Sequence, residues 1–177
     1  MDFKTVTSSL LQRFNERGVR YGLMGGFALG LWGVARSTVD LDFLVHRDDL
    51  AKIDGIMKDL AYECKFMSEN VAQYTSPLDR YGEVDFLFAF REASRGMLER
   101  SVEKKIFGAE LTIRVLIPED LIGLKLQAIK NNPSRRGQDM ADIKALCSLQ
   151  RELDWQLIRQ YGEILDAQDL LKEITEP

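Results

Sequence analysis

Two residue types that carry much of enzyme chemistry are nearly missing. The chain has one histidine and two cysteines in 177 residues, so zinc catalysis and Cys/His or Ser/His triads lack raw material. Cys64 and Cys147 stand far apart without a metal-type spacing. They read as buried thiols of a reducing cytosol rather than a disulfide framework. No apolar run approaches the ~18–20 residues of a membrane span. The opening Met-Asp-Phe-Lys-Thr lacks the basic and then apolar pattern of a signal peptide, so the expectation is a cytoplasmic protein with no membrane partner. Internal repeats and low-complexity linkers are missing too. Positive charge is not in excess: the net charge is −4 and the pI about 5.2. Such a chain has no overall attraction for nucleic acid, and any such contact needs a local basic patch. Residues 125–136 offer one, with Lys125, Lys130, Arg135 and Arg136 and no acid. A solvated helix end and loop accounts for the same residues.

What is present suits one domain, or one with a small appendage: 45% hydrophobic and 29% charged residues. Residues 4–17 have helical spacing, with Gly18 placed to end the helix. A short strand over Arg20–Met24 runs into Gly25-Gly26 and an apolar, helical Phe27–Trp32. Val39–Val45 alternates as a strand, and Asp48–Leu60 is an amphipathic helix. Strand-like runs follow at 62–67, 71–76 and 82–90, then a hairpin over 104–117 turning at residues 107–110. Pro118-Glu119-Asp120 starts a helix, and helices are expected over 118–130, 137–150, 152–162 and 167–174. The expected class is α/β, with a small mixed sheet flanked by helices in residues 1–116. A helical part, residues 117–177, is expected to pack on that core. The tryptophans and phenylalanines are assigned to the core.

The informative anomaly is Thr38-Val39-Asp40-Leu41-Asp42-Phe43-Leu44-Val45. Strand residues two apart share a face, so Asp40 and Asp42 point one way and Leu41, Phe43 and Val45 the other. Aspartate is a poor strand former and like charges on one face repel. A divalent cation offsets that cost, because oxygen ligands suit magnesium and can bridge to phosphates. Asp85 interrupts a second apolar strand, Val84–Phe90. If the two strands are neighbours, three carboxylates converge as in two-metal phosphoryl transfer. A solvated sheet face is the alternative.

Gly25-Gly26, between strand and helix, leaves backbone N–H groups able to hold a phosphate, though tight turns want glycine anyway. Lys125 falls on the apolar stripe formed by Leu121, Ile122, Ala128 and Ile129, where it needs a counter-charge. Asp139 lies on the inward face of the next helix with Met140, Ile143 and Leu146, and Asp142 lies at its edge. The two open readings are a Lys125–Asp139 pair near a nucleotide, or a snorkelling lysine and an edge aspartate. His46 reads as a loop cap rather than a base.

The stretch YGLMGGFALGLWGVARSTVDLDFLV resembles the opening motif of the polymerase-beta-like nucleotidyltransferase superfamily. With IPEDLIGLKLQAIKNNPSRRGQDMADIKAL downstream, the chain resembles the AbiEii/AbiGii-type group over about residues 20–150. That group includes toxins of toxin–antitoxin and phage-defence systems. The resemblance implies a nucleotidyltransferase fold and transfer of a nucleoside monophosphate from an NTP to a hydroxyl. Asp40, Asp42 and Asp85 would be catalytic and would bind magnesium, two ions being expected. Gly25, Gly26, Arg36, Thr38, Lys125 and Asp139 would serve the nucleotide. The acceptor stays open among tRNA, a protein hydroxyl and an antibiotic such as a lincosamide or aminoglycoside, and an antitoxin partner is implied. A non-catalytic nucleotide-binding regulatory module is the rival from another class.

Overall fold

The structure is a computed structural model that describes residues 1–175. Its first helix, α1 (Phe3–Arg17), starts where the Asp2 carboxylate accepts the Thr5 N–H at 3.1 Å. It stops at Gly18, whose left-handed φ of 60° is open to glycine at little cost. There follow β1 (Tyr21–Met24), α2 (Gly25–Leu31), β2 (Asp40–His46) and α3 (Leu50–Asp59). Then come β3 (Glu63–Met67), β4 (Val71–Thr75), β5 (Glu83–Ala89), α4 (Glu92–Arg100), β6 (Val102–Ile106) and β7 (Leu111–Val115). The seven strands form one sheet in the order β3-β4-β5-β2-β1-β7-β6. The β2–β5 and β1–β7 pairs are parallel and the others antiparallel, so the sheet is mixed, as expected for the fold.

One face of this sheet holds the aromatic core. The Phe14 ring lies 5.0 Å from Tyr21, 5.4 Å from Phe43 and 6.4 Å from Phe86. Leu41, Phe43, Val45, Val84 and Phe86 are all 0% exposed. Each such side chain contributes about 1.5–3 kcal/mol on burial. A one-residue slip of β2 would exchange these groups for its aspartates, so burial fixes the register. The opposite face is thereby compelled to carry Asp40, Asp42 and Asp85.

The chain divides into two compact units. One comprises residues 1–28 and 37–116; the other comprises Leu29–Arg36 and the chain from Ile117 onward. The second unit holds α5 (Pro118–Asn131), α6 (Arg136–Leu149), α7 (Trp155–Ile164) and α8 (Gln168–Thr175). Within it, Pro118 occupies the first turn of α5, and the Asp154 carboxylate caps α7 by accepting N–H bonds from Gln156 and Leu157 at 2.9 and 3.0 Å. The Tyr161 hydroxyl donates to buried Asp120 at 2.6 Å. Among the described residues, no helix is long and apolar enough to cross a membrane.

Four sequence expectations need correction. Helix α4 falls in a stretch to which the pattern assigned no element; only Met97 and Leu98 of it are buried, too few to set a periodicity. Cys64 is exposed rather than buried, because β3 is an edge strand with all five residues exposed. Phe66 and Phe90 are exposed at 53% and 37%, and Trp32 and Trp155 are half-buried. The second strand begins at Asp40 rather than at Val39, which is 75% exposed.

Candidate active site

Register decides the site. Asp42 stands opposite Asp85 in the parallel β2–β5 pair, and Asp40 stands opposite Glu83. Asp42 also faces Met24, the last residue of β1, so the Gly25-Gly26 turn begins beside it. Gly25 has φ 68°, and a Cβ built on it would overlap Asp42 Oδ2 and lie 2.8 Å from Asp42 Cβ. Only glycine leaves room for that carboxylate. The structure thus brings Gly25, Gly26, Asp40, Asp42 and Asp85 to one edge of the β1–β2–β5 surface.

The carboxylates are differently held. Asp40 Oδ1 accepts the Thr38 hydroxyl at 2.7 Å, which places Thr38 as an orienting neighbour. Asp85 Oδ2 accepts the Gln73 amide at 3.0 Å, while its Oδ1 is buried with no hydrogen-bond partner. Burial pushes the Asp85 carboxyl above the usual range; the Gln73 bond works against this, and the Asp40 charge adds to it. A buried, unpartnered carboxylate oxygen across from a second aspartate is costly unless a cation or donor arrives. Among the described residues, no three His, Cys, Asp or Glu side chains are already gathered as metal ligands. The all-oxygen donor set and the orphaned Asp85 Oδ1 nonetheless fit a hard divalent cation such as magnesium.

Gln73 escaped the sequence reading. It sits on β4 opposite Asp85, and its signal was only a polar residue at the exposed position of an alternating strand. Glu83, opposite Asp40 and paired with Lys65 at 2.7 Å, escaped for the same reason. His46 does what its position suggested: its Nδ1 accepts the Asp48 N–H at 3.3 Å.

The other sequence-selected residues lie in the second unit. Lys125 Nζ donates to Asp139 at 2.8 Å and to Asp142 at 2.6 Å, with its side chain 12% exposed. Arg36 pairs with Asp142, and Arg135 with Asp139 at 2.9 Å. The expected Lys125–Asp139 pair is therefore part of a cluster in which Arg36, Lys125 and Arg135 meet two carboxylates. Burial alone would raise the Asp139 carboxyl, but hydrogen bonds from Arg135 and Lys125 outweigh it and hold the group below its usual value. Asp142 is 4% exposed, so it is interior rather than at an edge.

The family described as "Nucleotidyl transferase AbiEii toxin, Type IV TA system" matches residues 10–170. The fold is similar to that of the antibiotic-resistance factor ANT(2'')-Ia, with a TM-score of 0.71 at 16% identity over 98% of this chain and 97% of the other. It is similar to the lincosamide antibiotic adenylyltransferase LnuA, with a TM-score of 0.57 at 16% identity over 82% of this chain and 97% of that one. A nucleotidyltransferase-like protein from Paracoccidioides brasiliensis gives 0.59 at 19% identity, covering 97% and 92%. A comparison with curated proteins gives no match.

Proposed function

Because the chain belongs to the AbiEii family of nucleotidyl transferases, we propose that it moves a nucleoside monophosphate from an NTP to a hydroxyl of RNA, with tRNA as the first acceptor to test and a protein hydroxyl next. The observation that carries the reading is the register of Asp42 against Asp85, with Asp40 on the same face. Asp40, Asp42 and Asp85 would hold magnesium, in a pair of ions. Bound magnesium supplies charge neutralisation and polarisation at the α-phosphate.

The chain's own residues do the rest. The backbone N–H groups of Gly25 and Gly26 hold the triphosphate, and Gly25 lets the Asp42 carboxylate approach that turn. Thr38 fixes the Asp40 carboxylate through the bond at 2.7 Å. The acceptor oxygen forms a bond to the α-phosphorus, the bond from that phosphorus to the bridging oxygen breaks, and pyrophosphate leaves. The acceptor's proton passes to Asp85, the carboxylate that stands opposite Asp42 on the neighbouring strand. On sequence likeness, Arg36, Lys125 and Asp139 are assigned to the nucleotide. The excess of cations over carboxylates around Lys125 supports an anionic ligand for them.

The toxin role, an antitoxin partner and a cytoplasmic site belong to the same reading. The net charge of −4 favours a second one, a cationic antibiotic as acceptor. Incubation with each α-labelled NTP, magnesium and unfractionated tRNA, beside Asp42→Asn, tests the assignment. Label is expected in RNA with the unaltered chain and at least ~100-fold less with the variant. Equal labelling by both chains would overturn the mechanism, and label found only on an aminoglycoside or lincosamide would select the second reading.

A further inference from the structure

In the basic run at 125–136, the nucleic-acid patch suggested by charge, each cation already has a carboxylate partner. Lys125 meets Asp139 and Asp142, Lys130 lies 3.8 Å from Asp166, Arg135 meets Asp139, and Arg136 pairs with Glu173. A different group of cations is free. Arg47 follows β2 and Arg91 follows β5, at the same end of these neighbouring parallel strands. Both guanidinium carbons lie 5.3 Å from the centroid of the Phe90 ring, which is 37% exposed. Among the described residues, neither arginine has a carboxylate within 4.0 Å. Arg95, exposed and four residues on from Arg91, also lacks an ion pair among them. Two nearby acids differ in state: Asp48 is engaged by Arg20 and His46 at 3.8 and 3.5 Å, and Glu92 is exposed in the first turn of α4.

We propose that Arg47, Phe90 and Arg91 form the docking site for the phosphate backbone of an RNA acceptor. The assignment rests on the transferase reading above. A guanidinium offers a planar fork of donors matched to phosphate oxygens. The shared ring holds two rotamer-rich side chains in advance, which lowers the ordering cost of binding. Asp42 and Asp85 each lie five residues before Arg47 and Phe90, which is about 16 Å at strand rise. A polynucleotide is long enough to reach both places. Cationic acceptors would be repelled by the pair. On an acidic chain, attraction for a phosphate backbone needs a local group of cations such as this one.

The test uses the full chain and 5′-labelled unfractionated tRNA, with binding followed by fluorescence anisotropy between about 50 and about 200 mM salt. Arg47→Ala with Arg91→Ala is expected to weaken binding at least ~10-fold at the lower salt. It should also flatten the slope of log affinity against log salt by about 1.4–1.8, the share of two phosphates. Arg47→Lys with Arg91→Lys keeps the slope and guards against a folding defect. Arg17→Ala, whose guanidinium pairs with Asp59, should bind as the unaltered chain does. An unchanged slope in the double alanine variant overturns the proposal. Labelling of tRNA by the unaltered chain together with that unchanged slope would remove the docking site and leave the transferase reading standing. Binding that depends on both arginines without any labelling of RNA would keep the site and remove RNA as acceptor.

Discussion

Gly25 offers a direct test of how this backbone serves its chemistry. Its φ of 68° is left-handed, so alanine there costs about 1–2 kcal/mol in backbone strain. The added methyl would also lie 2.8 Å from Asp42 Cβ and overlap the Asp42 carboxylate. Overpacking of this kind costs about 1–3 kcal/mol. The sum, roughly 2–5 kcal/mol, corresponds to a fall of about 4–20 °C in Tm for a chain of this size. Displacing the carboxylate by even 1 Å is expected to slow transfer by about 100-fold. Gly30 in the same helix is the control: a Cβ there meets nothing within 4 Å, and the position is exposed. Gly30→Ala should keep full transfer activity and gain up to about 1 kcal/mol. Thermal unfolding and incorporation of α-label measure both variants. An unaltered Tm and rate in Gly25→Ala would refute the claim that this glycine makes room for Asp42.

Lys125→Met should destabilise the chain by about 3 kcal/mol, since Asp139 and Asp142 would lose a shared buried cation; urea unfolding with no shift of midpoint would contradict this. Asp49 is expected to give the protein an acid limit. Its side chain is 2% exposed, and hydrogen bonds from Arg20 and Lys52 overcome burial to hold the carboxyl at about 2 rather than 3.8. Because the folded value is the lower one, the stabilisation is complete above about pH 4 and fades as pH falls toward 2. It amounts to roughly 2 kcal/mol. Asp49→Asn should therefore unfold more easily at pH 7, with the gap closing near pH 2, and a gap independent of pH would reject the ion-pair account.

The sequence by itself determined the strands that carry the acids, because alternation is a local property. Leu41, Phe43 and Val45 had to face one way, and that left Asp40 and Asp42 facing the other. It likewise marked the Gly25-Gly26 turn, the helix stop at Gly18 and the proline start of α5. Only the tertiary structure decided which strands are neighbours. The parallel pairing that sets Asp42 against Asp85 joins residues 43 positions apart, and nothing local specifies it. Gln73 against Asp85, the exposure of Cys64 on an edge strand and the Arg47–Phe90–Arg91 group likewise depend on which strands are neighbours. The basic run at 125–136 shows the converse. Its charges were plain in the sequence, and so was Asp139 as one reading of Lys125's partner, but the partners at Asp142, Asp166 and Glu173 come from folding. A charge's role is set by what lies within a few ångströms of it, and that distance is a property of the fold.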